Sequence, residues 1–552
     1  MTPQSRAPRA PRALGGQSRR SFLTLVGAGV LGSTVLAGCR TEGGGGGADP
    51  TTAGAVADTV LPTYTALNYI EPDFPSVNGS TAGFASIPDE LVQAFDAPPG
   101  SGGTFTAMTP LWGAIPPSTG NQYYDAVNEA IGSTVKFQIS DGNTYGDKLA
   151  AVLASADDVP DWVCIPTWNI PPRFDQAVET LFEDLTPFLA GDAVSQYKHL
   201  ANIPTDVWKF CVFNGKLKAL PFPGEIITDA IFYRDDIFEE EGITELPTDG
   251  QALLDLAKQL TGGNRWGTND LWNTAVIIHG VVPKWRINDD GTLTHRYETE
   301  EYRAALEWNA ALFAQGSVHP DAVANTGDAK QRFESGDVLI SNDGVGGWHE
   351  ALGRQLASNP SYSQRPFTPF AADGGTPVLW KGNPANIISF LKANDDKAKI
   401  EELLAIADFL AAPYGTQEYA LINSGVEGVH YNLGDDGLPV PTELAATELQ
   451  PTYIFLADPP VVNTKVQYPG FVEAFCTWMA DASQYVQDPA FFGMQITEPS
   501  QFGSLAQPMT DLESDISRGR KSIDDLDPAI ENWRATGGDE LREFYQGILD
   551  AQ

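Results

Sequence analysis

The sequence predicts an α/β fold with parallel strands, because segments with strand periodicity alternate with segments of helical periodicity. The alternation begins near Thr104 and has the spacing typical of strands that are joined by helices. With 552 residues, of which 42% are hydrophobic, the chain can build a large core. The first predicted elements are a strand over 105–109, a helix over 122–131, a strand over 135–139, a helix over 145–153 and a strand over 162–165.

The second half of the chain continues the pattern with longer helices. One is predicted to begin at Thr248, where a capping box with Gln251 would satisfy two free backbone N–H groups, and to end at Gly262. Another is predicted from Glu301 to Gly316. The Asp- and Gly-containing sequences at 288–291 and 434–437 predict hairpin turns.

The charge of the chain excludes one class of partner. It has 34 Lys and Arg residues against 72 Asp and Glu residues, a net charge of −38. Nucleic-acid binding depends on a basic surface that contacts phosphates, so we expect no nucleic-acid partner. A high negative charge keeps a protein soluble and dispersed, but it says nothing about fold.

The N-terminal segment has the features of an export signal. A twin-arginine sequence at Arg19 and Arg20 precedes an apolar run over 22–36, which is shorter than a membrane span. The sequence Leu36-Ala37-Gly38-Cys39 resembles the lipobox of bacterial lipoproteins, which implies that residues 1–38 are removed and that Cys39 carries lipid. An ordinary signal peptide with a chance cysteine is the alternative. Five consecutive glycines within 40–50 predict a flexible tether, and 48–103, rich in Pro, Gly, Ala and Thr, is interpreted as an extended lead-in that wraps or tethers, so that 39–103 is tether and lead-in.

The pattern of cysteine and histidine residues, which usually bind metals, predicts no metal cofactor. Cys164, Cys211 and Cys476 form no C-x-x-C pair, and the six histidines are scattered, so no zinc spacing is present. One disulfide is possible, but buried thiols are favoured, since twin-arginine substrates fold in a reducing compartment. The segment 432–443 has a glycine and a glutamate at two positions of a calcium loop, but its other ligand positions fit poorly.

The motifs of common hydrolases are also missing from the sequence. It contains no G-x-S-x-G, H-E-x-x-H or phosphate-binding loop. A pair of carboxylates could serve a glycosidase, but their separation cannot be read from sequence. A secreted lyase or glycosidase therefore stays open as an alternative, as does a surface protein that adheres to polysaccharide.

Several segments, in order, resemble family 1 of the extracellular solute-binding proteins of ABC importers. The similarity runs from about 104 to 440, and its most specific part is Tyr233-Arg234-Asp235-Asp236-Ile237-Phe238 followed by Gly242-Ile243 and Pro247-Thr248. The segment Gly425 to Tyr431, GVEGVHY, is similar to the long subgroup that takes up aldouronate, alginate fragments and related oligosaccharides. Two departures are Ala156-Asp157-Asp158 in place of Gly-Asp and Lys218 in place of Tyr.

The resemblance implies a two-lobe fold of the periplasmic-binding-protein type (type II), with hinge-connected lobes and a ligand cleft between them. We expect lobe 1 from 104–222 plus 372–440 and lobe 2 from 223–371 plus 441–552. It also implies a non-enzymatic, monomeric, lipid-anchored protein on the outer face of the membrane. Such a protein would deliver an oligosaccharide to the permease of an ABC importer by closing over it.

Flat aromatic side chains and a few polar groups are what a sugar site needs, since a sugar offers C–H faces and a rim of hydroxyls. Trp112, Trp168 and Trp348 follow predicted strands, where cleft residues of α/β sheets lie. Trp348 also resembles the position of a sugar-stacking tryptophan in maltose-binding protein. The further candidate ligand-binding residues are Asn169, Trp272, Trp380 and Glu427. For an anionic sugar, the cations Arg234, Lys284, Arg286 and Lys381 are too scattered to decide.

Overall fold

The computed structural model describes residues 59–171, 174–434 and 437–551. The predicted signal peptide and Cys39 lie outside these residues. All of the described residues belong to one compact unit. None of the helices in these ranges has both the length and the apolar character that crossing a membrane requires.

The strands are, in chain order, β1 (Ala82–Gly83), β2 (Thr104–Leu111), β3 (Thr134–Asp141), β4 (Trp162–Pro166), β5 (Val212–Phe213), β6 (Lys216–Leu217), β7 (Leu220–Phe222), β8 (Asp229–Tyr233), β9 (Trp266–Thr268), β10 (Trp285–Ile287), β11 (Leu293–His295), β12 (Val338–Gly344), β13 (Arg365–Pro366), β14 (Leu379–Trp380), β15 (Ile387–Leu391), β16 (Tyr431–Leu433), β17 (Pro439–Pro441), β18 (Val462–Asn463) and β19 (Val486–Gln487). The α-helices are α1 (Gln122–Ile131), α2 (Tyr145–Leu153), α3 (Phe174–Leu181), α4 (Thr186–Leu189), α5 (Thr205–Trp208), α6 (Asp235–Glu241), α7 (Gly250–Gln259), α8 (Trp272–Ile278), α9 (Glu300–Ala314), α10 (Pro320–Val323), α11 (Ala329–Ser335), α12 (Gly347–Gln355), α13 (Lys397–Leu410), α14 (Gln417–Ser424), α15 (Glu443–Glu448), α16 (Phe471–Ser483), α17 (Gln507–Ser517), α18 (Leu526–Trp533) and α19 (Asp539–Asp550). The alternation predicted from sequence over β2 to β4 is confirmed, including the bounds of α1 and α2.

Lobe 1 is built on a five-stranded sheet with the order β3-β2-β4-β15-β7. Strand β2 is parallel to β3 and β4, whereas β15 is antiparallel to β4 and β7. Strands β3, β2, β4 and β7 therefore all run in one direction, as the sequence predicts. Its core contains fully buried side chains such as Trp162, Phe182 and Phe390.

Lobe 2 is built on a four-stranded sheet with the order β13-β8-β12-β9. Helices α7, α8 and α9 pack on this sheet, the C-terminal helix α17 packs on α9, and α18 and α19 contribute to the same core. Helix α7 begins one residue later than predicted, because Asp249 rather than Thr248 accepts the free N–H of Ala252, at 2.7 Å.

Three segments cross between the lobes: 223–228, 381–386 and 458–461. The first two are hydrogen-bonded to each other, from Gly224 N to Pro384 O at 2.8 Å and from Gly382 N to Ile226 O at 2.9 Å. The lobe boundaries differ from the prediction, because Ala372 packs against the core of lobe 2 and residues 379–380 pair with β19, while 449–457 packs in the core of lobe 1. The crossing segments have no periodic pattern that would mark them in the sequence.

The lead-in packs against both lobes from residue 59 onward, so of the two alternatives this part of the chain wraps the lobes. Val60 and Leu61 are buried in the core of lobe 1, and Phe74 packs against the core of lobe 2. Strand β1 then pairs with β18 beside the third crossing segment. The apolar residues of the lead-in have no regular spacing, and periodicity alone therefore did not reveal their burial.

Candidate functional site

The carboxyl ends of β2, β3, β4 and β7 lie at one edge of the lobe 1 sheet, next to the first crossing segment. In this register Leu111 pairs with Asp141, and Ile387 pairs with both Pro166 and Phe222. Trp112 and Trp168 follow β2 and β4 at this edge. Ligands of α/β sheets bind at this kind of edge, because the loops that follow the strands are free to vary.

Trp112 and Trp168 form an exposed pair at the sheet edge. Their ring centroids are 5.9 Å apart with an interplanar angle of 45°, and 45% of Trp112 and 60% of Trp168 are exposed. Phe455 supports Trp112 edge-on at 6.1 Å, and Phe222 supports Phe455 at 5.8 Å. We call these four residues the aromatic platform. Large exposed aromatic rings are unfavourable in water, and a pair of them is typical of binding surfaces.

Gly142 fixes the position of the Trp112 ring. A Cβ atom at residue 142 would lie 2.3 Å from the indole, so any larger residue would displace the ring. The Gly142 N–H donates to Leu111 O at 2.9 Å, which holds the loop after β3 against β2. The sequence therefore places the indole directly on the backbone of the neighbouring loop.

Asn169 lies beside Trp168 and is half-buried. Its Oδ1 has no hydrogen-bond partner among the described residues, and its Nδ2 would lie 3.0 Å from a Cβ at Gly146. The Thr167 N–H donates to Asn386 O at 2.9 Å, which ties this loop to the second crossing segment. The structure thus brings together, at one edge of the sheet, three of the candidate ligand-binding residues: Trp112, Trp168 and Asn169.

Trp348 is placed in the core of lobe 2, where it is 5% exposed. Its ring contacts Phe471 at 5.2 Å, Phe232 at 6.0 Å and Phe475 at 6.1 Å between centroids. The predicted position at the start of α12 is right, but the helix turns the side chain inward. A ring that is covered in this way offers no face for a sugar, so this geometry does not support the stacking role expected from sequence.

The other candidates lie apart from the aromatic platform. Trp272 packs edge-on against Tyr302 at 5.9 Å in the core of lobe 2, and Trp380 donates to Gly280 O at 3.1 Å. Glu427 is exposed and bridges to Tyr431 beside the β16–β17 hairpin. None of these contacts joins them to Trp112 or Trp168.

Lobe 2 has a polar cavity of about 240 Å³ near the end of β12 that the sequence did not predict. Its polar lining residues are Asp328, Lys330, Glu334, Ser341, Asn342, Asp343 and Gln364. The next residue, Gly344, pairs with Asp229, where the chain enters lobe 2 from the first crossing segment. The rule that selected Trp112 and Trp168, residues at the ends of strands, would also have selected Asn342 and Asp343.

The cations considered for an anionic ligand all have acidic partners. Arg234 contacts Asp236 at 2.7 Å, Arg286 contacts Glu301 at 3.0 Å, and Lys284 pairs with Glu498. Lys381, in the second crossing segment, contacts Asp206 at 3.0 Å and Asp488 at 2.9 Å. Asp206 belongs to lobe 1 and Asp488 to lobe 2, so Lys381 links the two lobes on the hinge side.

Glu225 is a titratable group within the first crossing segment. Its carboxylate accepts a hydrogen bond from the Thr81 hydroxyl of the lead-in, but burial dominates and raises its pKa to about 7. Burial also raises the pKa of Asp458, which follows the core segment 453–457 of lobe 1. Two carboxyl groups near the crossings thus resist ionisation.

The described residues offer little for metal or thiol chemistry. No group of three His, Cys, Asp or Glu side chains in the described ranges could hold a metal ion. The segment considered for calcium forms the β16–β17 hairpin, and its Asp435 and Asp436 lie outside the described residues. Cys164, Cys211 and Cys476 are buried free thiols whose pKa is raised by burial, as favoured from sequence.

Comparisons with known proteins agree with this architecture. The family described as bacterial extracellular solute-binding protein matches residues 116–417, more than half of the chain. The polygalacturonan/rhamnogalacturonan-binding protein YtcQ of Bacillus subtilis is 22% identical over 424 residues, which cover 72% of this chain and 82% of that protein. The lipoprotein LipO of the same bacterium is 23% identical over 358 residues, covering 61% and 69% respectively.

A solved structure shows the same two-lobe fold. The N-glycan transport solute binding protein NgtS from Streptococcus pneumoniae matches with a TM-score of 0.60 and 15% identity, covering 81% of this chain and 98% of that chain. The two-lobe, periplasmic-binding-protein-like fold expected from sequence is therefore confirmed.

Proposed function

We propose that this chain, which belongs to the bacterial extracellular solute-binding protein family, binds an oligosaccharide between its lobes and delivers it to an ABC importer. The observation that carries the proposal is the exposed Trp112–Trp168 pair at the lobe edge next to the hinge. Two tilted indoles can each cover the C–H face of one sugar ring, so the pair fits a ligand of at least two residues. YtcQ and NgtS carry polysaccharide or glycan binding in their names, which supports the same class.

We assign complementary roles to the two lobes. Trp112 and Trp168 would stack on sugar rings, and Asn169 would donate or accept a hydrogen bond at a hydroxyl. On lobe 2, Asn342 and Asp343 line the polar cavity and would meet the opposite side of the ligand when the lobes close. Trp272, Trp348, Trp380 and Glu427 have no part in this assignment.

Closure would take place at the crossing segments, which are short and of which the first two are hydrogen-bonded to each other. Rotation about such segments brings two rigid lobes together with small backbone changes. Ligand contacts to both lobes favour the closed state, because a ligand shifts an equilibrium by its differential affinity for the two states. The closed form would be the one that a permease recognises.

We also propose that Cys39 anchors the protein to the outer face of the membrane. The support is the lipobox-like sequence before Cys39 and the name of the relative LipO, a lipoprotein. Replacement of Cys39 by Ser is expected to release the protein into the medium, which immunoblotting of cell and medium fractions would measure. Retention of the variant on intact cells would contradict the anchor.

The binding proposal can be tested by isothermal titration with a panel of neutral and acidic oligosaccharides. The protein used would span 48–552, which includes all of the described residues. We expect saturable binding of one sugar class with a stoichiometry of one, and a higher melting temperature in its presence. Chromatography of the mixtures would test the alternative enzyme, since shortened sugars would appear only if the ligand were cleaved. Binding to insoluble polymer without binding to any oligomer would instead indicate an adhesion protein.

A further inference from the structure

We infer that the cleft selects uncharged oligosaccharides and discriminates against uronate-containing ones. The inference rests on the proposed function and adds to it the chemistry of the ligand. It follows from the charged side chains at the edges of the two lobes, taken together with their ion-pair partners.

The edge of lobe 1 beside the aromatic platform is acidic. Asp141, the last residue of β3, is exposed and pairs in register with Leu111, the residue before Trp112. The basic residue in the adjoining crossing segment is Lys381, which is 16% exposed at its side chain and contacts two carboxylates and the Phe492 ring. An ammonium group with these partners has little capacity left for a ligand carboxylate.

The edge of lobe 2 is acidic as well. Asp229, the first residue of β8, is exposed and accepts a hydrogen bond from the Thr228 hydroxyl at 2.8 Å. The cavity lining holds Asp328, Glu334 and Asp343 together with one cation, Lys330, and Glu334 is paired with Arg354 at 2.6 Å. Lys330 lies 3.4 Å from Asp343 and 3.6 Å from Glu350, so it too is already neutralised.

A uronate would therefore meet exposed acids on both sides, while Lys330 and Lys381 are already paired and the exposed Lys148, in the first turn of α2, stands next to Asp147. A carboxylate that leaves water without a charged or hydrogen-bonding partner is strongly disfavoured. Sites built for carboxylates instead present Arg or Lys in bidentate or charge-assisted contact. The net charge of −38 adds a long-range repulsion between the protein and a polyanion.

Uncharged sugars do not have this cost. Carboxylate and amide side chains such as those of Asp343 and Asn342 accept hydrogen bonds from hydroxyl groups, and the aromatic platform needs only C–H faces. The acids at the lobe edges then serve as acceptors for the rim of the sugar. Arg173 lies outside the described residues, and a role for it in holding a carboxylate would appear in the experiment as a preference for the acid.

The experiment compares oligosaccharides that differ only in the carboxylate. Carboxyl reduction converts a galacturonate, mannuronate or glucuronate tetramer into the neutral tetramer with the same linkage, and each matched pair is titrated into the 48–552 protein. We expect the neutral member of the preferred pair to bind at least about tenfold more tightly, with the difference shrinking at high salt. Equal or tighter binding of the acid would overturn the inference and leave the proposed function standing. Binding of no member of any pair, nor of any neutral oligosaccharide, would overturn both.

The Asp343→Asn variant adds a test of the cause, because it frees Lys330 from its nearest partner. We expect the preference for the neutral member to fall several-fold in this variant, through a gain in affinity for the acid. Glu301→Gln is the matched control, since it removes the same charge from the Arg286 pair of the β10–β11 hairpin. A preference that stays unchanged in Asp343→Asn, or that falls equally in Glu301→Gln, would overturn the assignment of selectivity to the cleft.

Discussion

Replacing Trp168 by alanine is expected to weaken ligand binding while leaving the fold intact. Trp168 is 60% exposed, so it contributes little to folding, and the free energy of unfolding should change by less than about 1 kcal/mol. A tryptophan has a surface of roughly 250 Å², of which about 150 Å² faces solvent here. If a stacked sugar covers about half of that area, burial at about 25 cal/mol per Å² gives about 2 kcal/mol. The dissociation constant should then rise about 30-fold.

Trp348→Ala is the matched comparison, because the same residue type is 5% exposed in the lobe 2 core. This variant should lose about 3–5 kcal/mol of stability through the cavity it leaves. The affinity of the molecules that remain folded should stay close to that of the wild type. Isothermal titration and urea unfolding on both variants measure the two quantities separately. The reasoning fails if Trp168→Ala binds within about twofold of the wild type, or if Trp348→Ala loses affinity without losing stability.

Three further variants test individual contacts of the structure. Gly142→Ala should displace the Trp112 ring, because the added Cβ would overlap the indole. We expect titration to show binding at least about fivefold weaker, with little change in melting temperature. Unchanged affinity would mean that binding does not depend on the position of the ring. Leu61→Ala should lower the free energy of unfolding, measured by urea denaturation, by about 2–4 kcal/mol, because Leu61 is buried in the lobe 1 core. A loss below about 0.5 kcal/mol would show that the lead-in is not part of that core. Glu225 ionises near pH 4.5 when unfolded but near 7 when folded, so the folded state binds the extra proton and stability falls as pH rises through this window. Glu225→Gln should therefore match the wild type in melting temperature below about pH 4.5 and exceed it at pH 8; equal melting temperatures at pH 8 would contradict the burial of this carboxyl.

The order of elements in lobe 1 could be predicted from the sequence because its signals are local. The helices α1 and α2 have a buried stripe at helical spacing, and their bounds agree with the prediction. The segment 449–457 could not be placed in this way, since it joins the lobe 1 core through contacts with residues far away in the chain. Phe455 belongs to the aromatic platform for the same reason and was missed.

The tryptophans show that the sequence predicts where a residue lies along the backbone but not which way its side chain points. One rule, a position after a predicted strand, selects Trp112, Trp168 and Trp348 from the sequence, and all three lie at the expected points of the backbone. The rule does not specify the direction of the side chain. Trp168 is in a loop that turns its ring outward, whereas the helical turn at Trp348 directs the indole into a cluster of phenylalanines.

The exposure of the aromatic platform gives the protein an intrinsic optical reporter. Of the twelve tryptophans in the chain, Trp112 and Trp168 are the two that are exposed, while the others are buried or half-buried. Collisional quenchers in solution should therefore quench the fluorescence of these two indoles more strongly than that of the other tryptophans. A ligand that covers them would shift the emission to shorter wavelength and shield it from quenching, so occupancy of the cleft can be followed without a label.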